Sequence, residues 1–585
     1  MKLFKRPEIF TLLLITFFAF GQRFFNLGSN PPALNWDEVS HGYNAFSILK
    51  TGADEWGFKF PLIFRAFGDF KLPVYIYFTA IPVYFLGLTT TAVRLVSVLA
   101  GTLAVPGIYL LTNQLFSRGK GRTLTGGVLN NGLVTKGSGR SDLIGKNLSL
   151  PLIVAFLLAI SPWHFFISRP ALEANLALTL VIFGLFSLLK ALKKQKYFLL
   201  SSVFLGLSLH TYNTARVFVP LLLVLFYVIY RPKLKINLSN ILAVVFLTLS
   251  LSIVGFQIYS GTGTARYSKL SILSNDAIYQ IGQDRSTSSL HPILAKLRHN
   301  RPVYFVTESF SYYLSYFSPK FLYQSQGAQY QFAIPGKNMF TLPVTILSLI
   351  GGIWLLLSQR HSGLSRIFLF SWLLASPVAA ALTADPPQAL RPTPMIPVVI
   401  IFAGLGITWV ASLFKKYRWA KLAVSGILIL SCLVGYVGYL NEYYSQYPVK
   451  YSWSWQYGYE QVIDYVSSNQ DNYNQVIFTK YYGEPHIFFA FFTNTNPQVL
   501  QPGGDSLRFQ KTNWFWTDKI KNTYFVNDWQ IPEVLGDTLP LESGGEVPTK
   551  NSLLVVSPES LPTNAKILKT INFLDNTPAF YIITP

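Results

Sequence analysis

"LPVYIYFTAIPVYFLGL", residues 72–88, is apolar from end to end, and whether it crosses a membrane decides on which side every later segment lies. The chain has 585 residues, 51% of them hydrophobic and only 13% charged. Soluble domains carry about 25% charged residues, so this is the composition of a membrane protein. Apolar stretches long enough to cross roughly 30 Å of hydrocarbon fall near 8–25, 92–112, 148–167, 172–190, 197–213, 217–231, 238–257, 339–358, 367–383, 395–413 and 420–440, eleven besides 72–88. A net charge of +22 would suggest nucleic acid in a soluble chain. Here the Lys and Arg sit in short clusters between apolar runs, where membrane topology accounts for them and no nucleic-acid partner is called for.

If 72–88 does not span, five connections fall on one side: "SRGKGRTLTGGVLNNGLVTKGSGRSDLIGK", "KALKKQK", "RPKLK", "SQRHSGLSR" and "KKYRWAK". Together they hold 19 Lys and Arg, against Arg169, Arg216 and Arg391 in the short loops opposite. If it does span, the N-terminal "KLFKR" conflicts with every later loop. The positive-inside rule therefore predicts that 72–88 lies along or dips into the outer surface, with Pro73 and Pro82 limiting a regular helix. The expected protein is all-α and polytopic, in the cytoplasmic (inner) membrane, with a cytoplasmic N-terminus and about eleven spans. The stretch after the first apolar run, "GQRFFNLGSNPP", offers no small-residue cleavage site, which predicts a retained first helix. The single cysteine, Cys432, lies in an apolar run, so neither a disulfide framework nor a thiolate metal site is expected.

Two regions divide the chain: a membrane domain, 1–440, with long outer loops at 26–91 and 258–338, and a tail, 441–585. The tail holds 14 acids and nine basic residues, a balance opposite to the rest. In it "YEQVIDYVSSN" reads as a helix and "NQVIFTK", "NSLLVVS" and "PAFYIIT" as strands, which predicts a small extracytoplasmic α/β domain. No function suggests itself for the polar, glycine-rich stretch 117–147.

Of 12 acids before residue 441, ten fall on the predicted outer face: Asp37, Glu38, Asp54, Glu55, Asp69, Glu173, Asp276, Asp284, Glu308 and Asp385. Acids contribute little to topology, so this bias is independent of the assignment. Asp37 and Glu38 follow the first span at the start of a helical pattern. Asp37 is either an N-cap or a functional carboxylate. The same face carries Arg65, Lys71, Arg94, Arg169, Arg216 and Arg391. Single cations at a membrane boundary usually anchor; several beside carboxylates suit an anionic ligand such as a phosphate headgroup. A carboxylate that accepts a hydroxyl proton and cations that stabilise a departing polyprenyl phosphate form the chemistry of sugar transfer from a lipid phosphate. It requires no metal and leaves a divalent metal open.

Asp54 either stabilises a turn before Trp56-Gly57 or serves as a second carboxylate holding a sugar hydroxyl. Glu173, beside Arg169, is either half of a structural ion pair or part of the acceptor site. His41 and His210 with an acid could assemble a metal site, far below a zinc signature.

The order of "NWDEVSHGYNAFSILKTGADEWG", "FGDFKLPVYIYFTAIPVYFLGLTTTAVRLVSVLAGTL", "SPWHFFISRPALEANLAL", "HTYNTARVFVPLLL" and "ADPPQALRPTPMIPVVIIFAGLGI" resembles the bacterial branch of the dolichyl-phosphate-mannose protein mannosyltransferase and aminoarabinose transferase superfamily, over roughly residues 8–440. The resemblance implies a GT-C fold with juxtamembrane helices at 36–50 and 72–88. It also implies a glycosyltransferase that moves a sugar from a polyprenyl-phosphate donor to a lipid, protein or cell-envelope acceptor. By position it makes Asp37 the catalytic base, with Glu38 orienting acceptor or base, and places Arg94 at the end of the first outer loop. Lys71, Arg216 and Arg391 become candidates for the lipid phosphate. Where many relatives carry a Pro-Pro pair before the second juxtamembrane helix, this chain has "KLPVY". Two alternatives belong to other classes: a transporter or flippase for a polyprenyl-linked or other anionic solute, and a tail that carries the function on a membrane anchor.

Overall fold

The computed structural model describes residues 7–116, 149–233, 235–324, 329–358, 363–384, 387–414 and 417–585. The 117–147 stretch and Asp385 lie outside the described residues. Every predicted span is a helix or a broken helix pair: α1 (Pro7–Phe24), α4 (Thr90–Phe116), α5 and α6 (Leu150–Ala159, Pro162–Ile167), α7 (Glu173–Ala191), α8 (Tyr197–Leu209), α9 (Asn213–Tyr230), α10 (Leu238–Tyr259), α16 (Leu342–Leu357), α17 and α18 (Gly363–Ala375, Val378–Ala381), α19 (Met395–Leu413) and α20 (Arg418–Tyr451). Among the described residues seven helical segments are long and apolar enough on their own to cross a membrane. The 148–167 stretch is broken because Pro162 restarts a helix after Ser161. α16 and α19 cross at Gly351 and Gly406. A Cβ on either would fall about 2 Å from the facing backbone, so this small-residue crossing lets the two helices touch directly.

The first outer loop holds α2 (Trp36–Thr51), the hairpin β1–β2 (Phe64–Ala66, Asp69–Lys71) and α3 (Pro73–Leu86). α3 is a regular helix, contrary to the expectation from its prolines. Pro73 sits at its first turn, where no backbone donor is needed, and Pro82 is accommodated inside it. Its 14 residues reach about 21 Å, short of a bilayer core. The second long loop carries α11 (Ala265–Lys269), α12 (Asn275–Ser286), α13 (Pro292–Arg298), α14 (Arg301–Ser315) and α15 (Pro319–Gln324).

α20 runs without a break across residue 440 and leads into the C-terminal region. There α21 (Tyr459–Asn469) and α22 (Pro485–Phe492) pack on a seven-stranded mixed sheet. In spatial order its strands are β10 (Lys566–Asn572), β11 (Pro578–Thr584), β9 (Ser552–Val556), β3 (Gln475–Thr479), β6 (Thr523–Val526), β5 (Trp514–Ile520) and β4 (Ser506–Lys511). β7 (Thr538–Pro540) and β8 (Glu546–Pro548) form a separate hairpin. β3 pairs in parallel with both β6 and β9. These central strands are buried on both faces, as their unbroken "VIF" and "LLVV" runs require.

The first outer loop and the C-terminal domain lie against each other. Phe515 N donates to Phe67 O at 2.6 Å, Tyr43 Oη to Thr495 O at 2.9 Å, and Gln501 Nε2 to Asp54 O at 2.9 Å. Lys269 of α11 adds a contact from the second loop, its ammonium 4.4 Å from the Trp514 ring centroid. All three outer regions therefore meet on one side of the bundle.

Candidate active site

α2 carries the acids of the first loop. Its N-cap is Asn35, whose side chain accepts from Glu38 N at 3.0 Å while Glu38 Oε2 accepts from Asn35 N at 3.2 Å. This capping box removes the N-cap alternative for Asp37. Asp37 is instead the second residue of the helix, in its first turn, its side chain 43% exposed and paired with the buried ammonium of Lys71 from β2. Four residues on, and so on the same helix face, His41 Nε2 lies 3.0 Å from Oε1 of Glu173, the first residue of α7. Burial works against the charge on Lys71. The nearby carboxylates of Asp37, Glu173 and Asp69 outweigh it, and Lys71 holds its proton more tightly than a free lysine.

Glu38 and Arg94 pair with each other. Both are fully buried. Glu38 accepts from Arg94 Nε at 2.9 Å, Arg94 Nη2 at 3.0 Å and Ala171 N at 2.7 Å, and Arg94 also donates to the carbonyls of Leu27, Pro31 and Ala33. A buried ion persists only when its hydrogen-bonding capacity is met, and here it is met by protein: the pair braces the first loop to α4. Arg169 is likewise committed. It donates to the carbonyls of Phe25 at 2.7 Å and Asn30 at 2.6 Å and to the Tyr443 hydroxyl at 3.1 Å, tying the end of α1 to α20. Arg65 lies within 5.1 Å of the Trp56, Phe58 and Phe515 ring centroids.

Asp54 closes a turn through one carboxylate oxygen, while its Oδ2 is buried with no hydrogen-bond partner among the described residues. It is fully buried and accepts from Trp56 N and Phe58 N, both at 2.9 Å. Burial lifts its pKa to about 6 in spite of those two donors. Of the remaining cations, Arg216 donates from Nε to Leu209 O at 3.1 Å and pairs with Gln257, and its Nη1 is buried with no hydrogen-bond partner among the described residues. Arg391 is buried and donates to Thr383 Oγ1 at 2.6 Å. Val74 N donates to His210 O at 3.2 Å, next to the Leu209 carbonyl that Arg216 holds, which brings the start of α3 to the start of α9. Among the described residues no three His, Cys, Asp or Glu are grouped to hold a metal ion; His41 is engaged by Glu173.

Two features escaped sequence reasoning. Glu55 and Asp54 look alike in sequence, yet Glu55 reaches out of the loop to Arg508 of β4 at 2.8 Å, and nothing local marks that partner. The C-terminal domain also contributes Trp514, Trp516, Lys480 and Glu484 to a cavity against Trp36. The clustered Trp of "NWFWTDK" was the available signal.

No protein-family model matches the chain, and no curated protein matches it in sequence. Among solved structures it is similar to ArnT from Cupriavidus metallidurans, bound to undecaprenyl phosphate, with a TM-score of 0.53 and 11% identity over 98% of this chain and 97% of that one. The chain shares the fold of that structure along nearly its whole length. The oligosaccharyltransferase AglB from Archaeoglobus fulgidus, in complex with an inhibitory peptide and a dolichol-phosphate, is similar with a TM-score of 0.50 and 12% identity over 83% of this chain and 64% of that one. The chain thus spans less than two thirds of that protein's length. At such identities the likeness is one of fold.

Proposed function

We propose that the chain is a glycosyltransferase that moves a hexosyl or pentosyl group from a polyprenyl-phosphate donor to a lipid, protein or cell-envelope acceptor at the outer face of the cytoplasmic membrane. The observation that carries this reading is the pairing of half-exposed Asp37 with buried Lys71, next to the His41–Glu173 pair on the same face of α2. The solved structures of like fold support it, since two of them hold a polyprenyl phosphate.

In the proposed reaction the acceptor hydroxyl attacks the anomeric carbon and gives its proton to Asp37, while the bond from that carbon to the phosphate oxygen breaks. The electron pair leaves with the polyprenyl phosphate. Lys71 orients Asp37 through an ion pair and contributes positive charge where the phosphate departs. Arg216, with a buried guanidinium nitrogen unpartnered among the described residues, and Arg391 are the proposed phosphate contacts; Glu173 positions His41 and shares the field at Lys71. Glu38, Arg94, Arg169 and Asp54 act by holding the loop that presents Asp37. Transport of an anionic solute would call for charges along a path through the spans, whereas these carboxylates gather at helix ends beside the outer loops.

Purified protein given a radiolabelled polyprenyl-phosphate sugar should release or transfer the label, and Asp37→Asn should slow this by about 100-fold or more. Uptake into vesicles without bond cleavage would favour transport instead.

A further inference from the structure

A cavity of about 150 Å³ opens between the start of α2 and the face of the C-terminal sheet. Four of the chain's 12 tryptophans line it: Trp36, Trp514, Trp516 and Trp529. None of the four is fully buried, and Trp529 is 78% exposed. Indole rings of this size ordinarily supply a core; here Trp36 and Trp514 pack only in part against the core of the domain, and all four indoles also border the open space.

The polar groups in the cavity are held rigidly. Trp514 Nε1 donates to Glu484 Oε1 at 2.7 Å, which fixes that indole. Lys480 pairs with the fully buried Asp518 and lies 5.1 Å from the Trp516 ring centroid. Gly483 and Glu484 both have left-handed backbones, with φ of +80° and +50°. At Gly483 a Cβ would fall 2.3 Å from the Trp36 ring, so only glycine lets that indole lie on the turn. A left-handed glutamate is a costly conformation that persists where the surroundings hold it for a purpose.

Aromatic planes with a few fixed hydrogen-bonding groups match one ligand class. A sugar ring presents an apolar C–H face, which is removed from water against an indole, and a rim of hydroxyls that need donors and acceptors. A lipid chain has no use for Lys480 and Glu484. An anion finds Lys480 already neutralised by Asp518. Trp36 of its lining directly precedes Asp37 in the chain, and Phe67 lies 6.1 Å from both Trp36 and His486, ring to ring, with the Lys71 ammonium 6.0 Å from the Phe67 ring centroid.

We infer that this cavity is a saccharide subsite for the acceptor, and therefore that the acceptor is a glycan or glycolipid whose sugar ring stacks on these indoles while its hydroxyl is offered at Asp37. The inference rests on the transfer reaction proposed above and names its acceptor class.

The test uses the full-length protein in detergent and saturation-transfer NMR with trisaccharides of glucose, mannose and N-acetylglucosamine. At least one should receive magnetisation at its ring protons, at least fivefold less in Trp516→Ala and in Trp529→Ala, and undiminished in Asp37→Asn. Trp529 is exposed enough that its loss leaves the fold intact, so this variant guards against a merely unfolded Trp516→Ala. No transfer to any of the three sugars, or equal transfer in both tryptophan variants, would overturn the proposal. So would loss of the signal on adding a polyprenyl-phosphate sugar, which would give the cavity to the donor. Donor cleavage is measured alongside. Cleavage without saccharide binding overturns the subsite alone; saccharide binding without cleavage overturns the transfer reaction alone.

Discussion

Arg508 Nη2 donates to Glu55 Oε2 at 2.8 Å, and its guanidinium carbon lies 3.3 Å from the Trp56 ring centroid, although 453 positions separate the paired residues. This contact joins the C-terminal sheet to the first outer loop. It also bears on topology without reference to charge. Helices α4 to α20 supply ten of the apolar stretches between the two residues, and an even number of crossings returns the chain to its starting side. Had α3 been an eleventh crossing, Glu55 and Arg508 would lie across a bilayer from each other.

Cysteines placed at Leu62 and at Thr512, both exposed, should therefore react with a membrane-impermeant maleimide from the same side of intact cells. The native Cys432 is buried and should stay silent. Labelling of the two from opposite sides would make α3 a span.

Asp37→Asn keeps the size and much of the hydrogen bonding of the side chain but accepts no proton, so turnover should fall about 100-fold or more while donor affinity stays near that of the wild type. With Asn35 as the helix cap, no loss of capping confuses the result. Wild-type turnover by purified Asp37→Asn would take Asp37 out of the reaction.

Arg216→Ala should weaken donor binding by about tenfold, the worth of one charge-assisted hydrogen bond, and also lower the thermal midpoint, since its bonds to Leu209 O and buried Gln257 are lost. Binding of the polyprenyl phosphate measured by calorimetry checks this. An affinity equal to that of the wild type would remove Arg216 from the phosphate site.

Arg94→Met and Glu38→Gln should each destabilise the protein by about 3–5 kcal/mol, because each leaves its partner buried without a counter-charge. Thermal unfolding in detergent reads the loss. If Arg94 instead bound substrate phosphate directly, Arg94→Met would raise the donor KM with the thermal midpoint intact.

Glu484 is buried, and that burial pushes its pKa up to about 8 from an ordinary 4.5. Between those two values the folded protein holds a proton that the unfolded chain has released, so stability falls as pH rises through the window. The thermal midpoint should accordingly decline from pH 5 to pH 8, and Glu484→Gln should flatten the decline. An equal slope in wild type and variant would show that Glu484 is ionised throughout.

The sequence by itself determined the apolar spans and the strands of the tail, because each follows from local periodicity and from the cost of putting charge or unpaired backbone into hydrocarbon, and through the positive-inside rule it led to the expectation that 72–88 does not span. It could not rank the acids and cations. Asp37 and Glu38 are neighbours, yet helix geometry turns one toward Lys71 and an open face and the other inward to Arg94. Asp54 and Glu55 divide in the same way, one closing its own turn and the other reaching Arg508. An isolated arginine in a loop looks the same whether it binds a phosphate or a ring of carbonyls, as Arg169 does. Only the tertiary structure decides which charges are already satisfied by protein, since that depends on partners hundreds of residues away and on whether the packing around them admits water.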